Sequence, residues 1–150
     1  YGLVREDERG DLVMVAYGVV KTSSKQGVAR RLQQIYTELT ALIGRFQPDT
    51  CAIEKLFFGR NVTTAIVVGQ ARGVSLLALA NGGLDITEYA PAEIKQSVAG
   101  YGNAPKEQVQ EMVRMLLGLD EIPRPDDAAD ALAIAIAHLH SSRYKTLYSG

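Results

Sequence analysis

Short β-rich runs open this chain, and strands and helices then alternate, an order that indicates a mixed α/β sheet flanked by helices. Residues 1–4 and 12–22 are rich in Val, Leu, Met and Tyr. The polar Glu6-Asp7-Glu8-Arg9-Gly10-Asp11 between them reads as the turn of an antiparallel hairpin. Apolar residues recur at helical spacing from Val28 through Leu32, Ile35 and Leu39 to Phe46, and Gln47-Pro48-Asp49 stops that helix, because proline cannot continue it. Thr50 to Phe58 and Leu84 to Tyr89 read as further strands. Helices are predicted over 61–81, 91–99, 105–117 and 126–142. The last two are separated by Ile122-Pro123-Arg124-Pro125.

The 61–81 helix stands apart. Ala65, Ile66, Val67, Val68, Ala71, Val74, Leu76 and Leu77 make it apolar on most sides, and few of its positions are charged. Such a helix is buried on more than one face, in a large core or against a second subunit. In a domain of this size the subunit contact is the expectation.

With 150 residues the chain suits one domain with a substantial core. Tyr1-Gly2-Leu3-Val4-Arg5-Glu6 lacks the basic start and apolar block of a signal peptide. No uninterrupted apolar run reaches the roughly 18 residues of a membrane span. A cytoplasmic protein with no membrane segment is the expectation. The single Cys51 precludes an internal disulfide and a thiolate metal site. The formal net charge is −1, so any nucleic-acid binding needs a local basic face on a nearly neutral body.

Chemistry is concentrated in two places. In Asp126-Asp127-Ala128-Ala129-Asp130, three carboxylates open an apolar helical run with no basic residue among them. On a helix, Asp127 and Asp130 project from one face with Cβ atoms roughly 5–6 Å apart. Carboxylates that close raise each other's pKa unless a cation joins them, and hard oxygen ligands suit Mg²⁺ or Mn²⁺. The plainer reading is that acidic residues complement the dipole of a helix N-terminus. It accounts well for Asp126 and poorly for Asp130, a turn deeper; from this segment alone both readings stand. Glu54 is the second place. It ends the apolar strand Cys51-Ala52-Ile53, and strand ends in α/β sheets are where ligand-binding groups emerge. A surface pair with Lys55 is the alternative, but adjacent strand residues point to opposite faces.

A set of motifs runs through nearly the whole chain in one order. Cys51 to Phe58 is followed by Asn61, Gly69-Gln70-Ala71-Arg72-Gly73, Tyr89-Ala90-Pro91 and Ile94-Lys95-Gln96. Then come Lys106-Glu107-Gln108-Val109, Met112-Val113 and Asp127-Ala128-Ala129-Asp130-Ala131-Leu132-Ala133. Together they resemble the bacterial RuvC Holliday junction resolvases, members of the RNase H-like nuclease superfamily. The resemblance implies an RNase H-like fold and a homodimer acting on four-way junction DNA in recombination and repair, alongside a branch-migration helicase complex. It implies hydrolysis of phosphodiesters with Mg²⁺ or Mn²⁺, two ions per active site in the complete protein. The family's glutamate falls on Glu54, and its two C-terminal acidic ligands fall on Asp127 and Asp130. Its junction-side aromatic falls on Phe57, and its active-site lysines fall on Lys95 and Lys106, the latter counted here among the catalytic groups. Contacts to the DNA backbone are expected from Lys55, Arg60 and Arg72 as well. By chemistry of this kind, paired metals activate water and support the departing oxygen while lysine neutralises charge on the phosphate. His138 and His140, two to three turns farther along the last helix, read as structural or surface residues.

There is one departure. The family opens with a strand ending in an aspartate, in a Gly-Ile-Asp-Pro-Gly type motif, and that aspartate is shared by both metals. Here Tyr1-Gly2-Leu3-Val4 aligns with the family's second strand, and Asp7 and Asp11 sit in the far turn of the hairpin. The expectation is a single nuclease domain over 1–150, truncated at its N-terminus and lacking the first strand. The alternatives are a junction-binding relative that does not cleave and another RNase H-like nuclease, such as one processing ribosomal RNA precursors. Phe57 and the long apolar helix argue against the last.

Overall fold

The computed structural model describes residues 1–55 and 61–148. Its elements run β1 (Gly2–Glu6), β2 (Leu12–Tyr17), α1 (Val28–Phe46), β3 (Cys51–Glu54), α2 (Val62–Asn81), β4 (Ile86–Tyr89), α3 (Pro91–Ala99), α4 (Lys106–Leu116) and α5 (Asp126–Tyr148). They fall into two compact units. One comprises Tyr1–Val19, Ala52–Lys55 and Thr87–Gly150, the other Val20–Cys51 and Leu56–Ile86.

In the first unit β1 and β2 pair antiparallel, from Gly2 opposite Tyr17 to Glu6 opposite Leu12. The register slips between Leu3 and Val4, which face Ala16 and Met14, so Val15 is the extra residue of a bulge. The turn is built as the polar run predicts. Asp7 Oδ1 accepts from the backbone N–H groups of Arg9 and Asp11, both at 2.9 Å, and Gly10 takes φ 82°, a value glycine adopts without steric cost. The Asp7 carboxylate is therefore spent on the hairpin, and Asp11 joins it through its backbone. β3 pairs with β4: Cys51 N–H donates to Asp85 O at 3.2 Å and Lys55 N–H to Tyr89 O at 2.8 Å. The constant offset makes this pair parallel. Both strand senses are present, as expected of a mixed sheet, but among the described residues they form two two-stranded sheets.

The core of this unit is helical. Leu132 and Ile136 of α5 and Val113 of α4 are fully buried, with Ile94 and Val98 of α3 against them. Alanines at 128, 129, 133 and 137 keep the buried face of α5 slim. β1 lies against it so closely that a Cβ on Gly2 would stand 2.7 Å from the Leu132 backbone nitrogen. At the other end of α5, Arg143 Nε donates to Glu6 Oε1 at 2.6 Å and its Nη2 donates to Gly10 O, tying the hairpin turn to the helix.

The second unit is built on α1 and α2. α1 ends where the sequence predicts: Gln47 adopts φ 46° and its N–H donates to Ile43 O. Asn61 caps α2, its Oδ1 accepting from Thr64 N–H at 3.2 Å. Asn81 Nδ2 donates to Tyr36 OH at 2.8 Å. The burial expected of α2 is not found among the described residues. Only Ala78 is buried on it, whereas Val62, Ile66, Val67, Val68 and Leu77 are exposed. By length and composition alone α2 could cross a membrane. Gln70 and Arg72 at its middle are costly groups to place in lipid.

Candidate active site

Three elements of the first unit carry the acidic and basic groups. β3 ends on Glu54, half-buried where the strand runs out. α5 begins at Asp126, and its first carbonyl acceptor is Pro125 O, bonded by Ala128 N–H at 2.9 Å. Asp126 and Asp127 thus stand in the first turn, where the helix dipole favours negative charge, and Asp130 stands one turn on. α4 begins at Lys106, directly after its N-cap Pro105.

Lys106 joins the two helices. Its Nζ lies 3.4 Å from Asp126 Oδ2 and 3.7 Å from Asp130 Oδ2. Asp126 also accepts from Arg124 Nη1. The cations divide their effect unequally. Hydrogen bonding to Lys106, with Arg124 assisting, holds the Asp126 carboxyl below its ordinary range. Asp130 is pushed up instead, by partial burial and by repulsion from Asp127 and Asp126, against the opposing pull of Lys106. Glu54 is likewise pushed up, first by burial and then by Asp130, with Lys95 opposing. The Lys106 ammonium is held above its ordinary value, chiefly by Asp130 and by its hydrogen bond to Asp126. The Tyr1 amino group is held below its ordinary value by burial, with Asp127 opposing.

Glu54, Asp130, Lys95 and Lys106 therefore share one electrostatic environment. With Asp126 and Asp127 included, four carboxylates face the three cations Lys95, Lys106 and Arg124, and hard oxygen donors in surplus suit a divalent cation. In charge and donor type the residues fit a metal. In position they do not yet close on one: among the described residues no three of His, Cys, Asp and Glu gather closely enough to hold an ion. Phe57 and Arg60 lie outside the described residues, and Arg72 belongs to the second unit.

Two features are not apparent in the sequence. Helical patterning assigns Asp126 to the helix dipole alone, whereas it anchors both Lys106 and Arg124. The Arg124–Asp126 spacing across Pro125 is a legible signal for the second contact; nothing in sequence announces the first. His138, as expected, is structural. Buried on α5, its Nδ1 meets Tyr89 OH at 2.9 Å, and His140 Nδ1 meets Ser97 Oγ at 3.1 Å. These bonds fasten β4 and α3 to the helix that bears the aspartates.

A carboxylate at a strand end and a helix opened by aspartates, in an α/β frame, accord with a nuclease of RNase H-like fold, the class of the solved structures that this chain resembles. The profile described as "Crossover junction endodeoxyribonuclease RuvC" matches residues 1–138, and the chain belongs to that family of DNA-cleaving hydrolases. A curated relative of that name from Heliobacterium modesticaldum is 56% identical over 141 residues, 94% of this chain and 86% of that protein. Another, from Chloroflexus aggregans, is 56% identical over 142 residues, 95% of this chain and 86% of its own length. Among solved structures, Thermus thermophilus RuvC in complex with Holliday junction substrate superposes with a TM-score of 0.90 at 39% identity, covering 97% of this chain and 88% of that one.

Proposed function

We propose that this protein is a structure-selective endonuclease that resolves Holliday junctions by metal-dependent phosphodiester hydrolysis. The observation that carries the reading is Lys106 Nζ lying 3.4 Å from Asp126 Oδ2 and 3.7 Å from Asp130 Oδ2 on the helix that also bears Asp127, with Glu54 ending β3. The likeness to a relative solved with junction substrate supports it. Glu54, Asp127 and Asp130 would hold Mg²⁺ or Mn²⁺, two ions in the complete site. Bound there, the metals supply water activation and leaving-group support. The chain's own groups do the rest. Lys106, anchored on Asp126 and Asp130, keeps a positive charge where the phosphate gains negative charge, and Lys95 tempers Glu54. Phe57, Arg60 and Arg72 are assigned to DNA by the same family resemblance, which also supplies the branch-migration helicase complex as partner.

Two further parts of the reading rest on the fold. β1 and β3 each pair on one side only in the two-stranded sheets, a scheme that accommodates a strand joining them; the family's aspartate-bearing first strand is our choice for it. The exposed apolar side chains of α2 are assigned to a homodimer contact. The test is competition binding in the absence of divalent ions. Selective binding of a four-way junction over linear duplex, weakening with salt as phosphate contacts require, supports the reading. Equal affinity for the two DNAs at every salt concentration contradicts it.

A further inference from the structure

The carboxylates that would perform cleavage repel DNA, so a protein of net charge −1 needs cations gathered elsewhere to hold a polyanion. Residues 12–37 supply them: this stretch contains four of the 16 Lys and Arg and none of the 17 Asp and Glu. The four are Lys21, Lys25, Arg30 and Arg31, in the segment that leads into α1 and through its first turn, all within the second unit. Lys21, Lys25 and Arg30 are exposed. Among the described residues no ion pair engages any of the four; the cations that are paired there are Lys106, Arg114, Arg124 and Arg143.

The segment is held in place. Arg31 Nε donates to Thr22 Oγ1 and Gln34 Nε2 to Lys21 O, both at 2.9 Å, fastening it to α1. Lys25 N–H and Gln26 N–H donate to Ser23 Oγ and O at 3.2 and 3.1 Å, closing a turn. Exposed Ser23, Ser24 and Gln26 add uncharged hydrogen-bonding groups between the cations. An ordered face of Lys and Arg without ion pairs, interleaved with hydroxyl and amide side chains and edged by one carboxylate, Glu38, that accepts from Gln34 Nε2 at 2.7 Å, is a surface that sugar–phosphate backbone takes independent of sequence.

We propose that Lys21, Lys25, Arg30 and Arg31 form a docking face for the phosphate backbone of a duplex arm. This rests on the DNA reading above and adds to it a contact surface outside the acidic site. The cations capture backbone by releasing its condensed counterions, and the clamped segment loses little freedom on binding.

The test uses Lys25→Ala with Arg30→Ala, since Arg31 also braces Thr22 and its loss would loosen the segment. The double variant should melt as the wild type does. Its slope of log affinity against log salt should flatten by about 2, roughly 0.9 for each phosphate that is no longer neutralised. The affinity gap between wild type and variant should then narrow roughly tenfold between about 50 and 200 mM salt. The charge-conserving Lys25→Arg with Arg30→Lys should restore the wild-type slope. Wild-type binding with an unchanged slope in the double variant overturns this face and leaves the DNA reading standing. Failure of the wild type to bind any DNA overturns both.

Discussion

Gly2→Ala tests whether the fold places the acidic site as described. Gly2 sits in β1 opposite Tyr17, and its backbone suits any residue, so the demand for glycine is one of space. An added Cβ would stand 2.7 Å from Leu132 N and 2.9 Å from Leu132 Cα and Cδ2. Comfortable contact begins near 3.5 Å, so strand and helix must part by roughly 0.8 Å. The side chain could turn away; the backbone nitrogen cannot, because it belongs to a helix whose Leu132 is fully buried. Overpacking of this kind costs about 1–3 kcal/mol, which at this chain length lowers Tm by roughly 2–12 °C. Asp130 lies two residues before Leu132, so displacement of α5 carries to the carboxylates, and a shift near 1 Å can cost on the order of a hundredfold in rate. Thermal and urea unfolding read the stability, and junction cleavage by the chain preceded by the family's aspartate-bearing strand reads the site. Gly44→Ala is the control: exposed on α1 with open space around a new Cβ, it should gain about 0.5–1 kcal/mol. An unchanged Tm in Gly2→Ala would refute the close approach of β1 to α5.

Glu54→Gln should raise stability and, in the chain preceded by the aspartate-bearing strand, remove cleavage. The charged form is disfavoured first by burial and then by Asp130, with Lys95 opposing, so the neutral amide should raise the urea midpoint slightly; a lower urea midpoint contradicts this. Val67→Asp places a charge on the exposed apolar side of α2, and if that side is a subunit contact the cost is several kcal/mol. Light scattering should show a dimer for the wild type and a monomer for the variant; a wild-type monomer ends the idea. His138 is held below its ordinary pKa by burial and then by Lys145. The unfolded chain therefore takes up the proton first, so stability is full above about pH 6.5 and falls as pH drops from there toward the lower folded value. An NMR titration placing His138 above about 6.5 reverses the sign and refutes it.

Where sequence carries its own punctuation, the elements are legible. Gln47-Pro48 and Asn81-Gly82-Gly83 mark the ends of α1 and α2 to within a residue. The strand expected over 12–22 stops at Tyr17, because its partner β1 begins at Gly2 and nothing in Val19 or Val20 reveals where pairing ends. The helix expected over 126–142 runs longer than predicted. It continues to Tyr148, with Ser142 and Thr146 donating their hydroxyls to the carbonyls of His138 and Ser142 inside the helix. Within the site, Asp127 and Asp130 are legible from helical spacing, and Glu54 from its place at a strand end. The pairing of Lys106 with Asp126 and Asp130 is not, because residues from separate helices meet only through packing of α4 on α5.

Junction cleavage in Mg²⁺ tests the central claim most directly. The measurement compares the 150-residue chain with the same chain preceded by a strand bearing the family's aspartate, alone and with Asp127→Asn or Glu54→Gln. The account predicts binding by all four proteins. Efficient cleavage should come only from the chain that has the added strand and all three carboxylates, because two-metal assistance needs the shared ligand as well as Glu54, Asp127 and Asp130. Undiminished cleavage by either substituted protein, or efficient cleavage without the added strand, would contradict it.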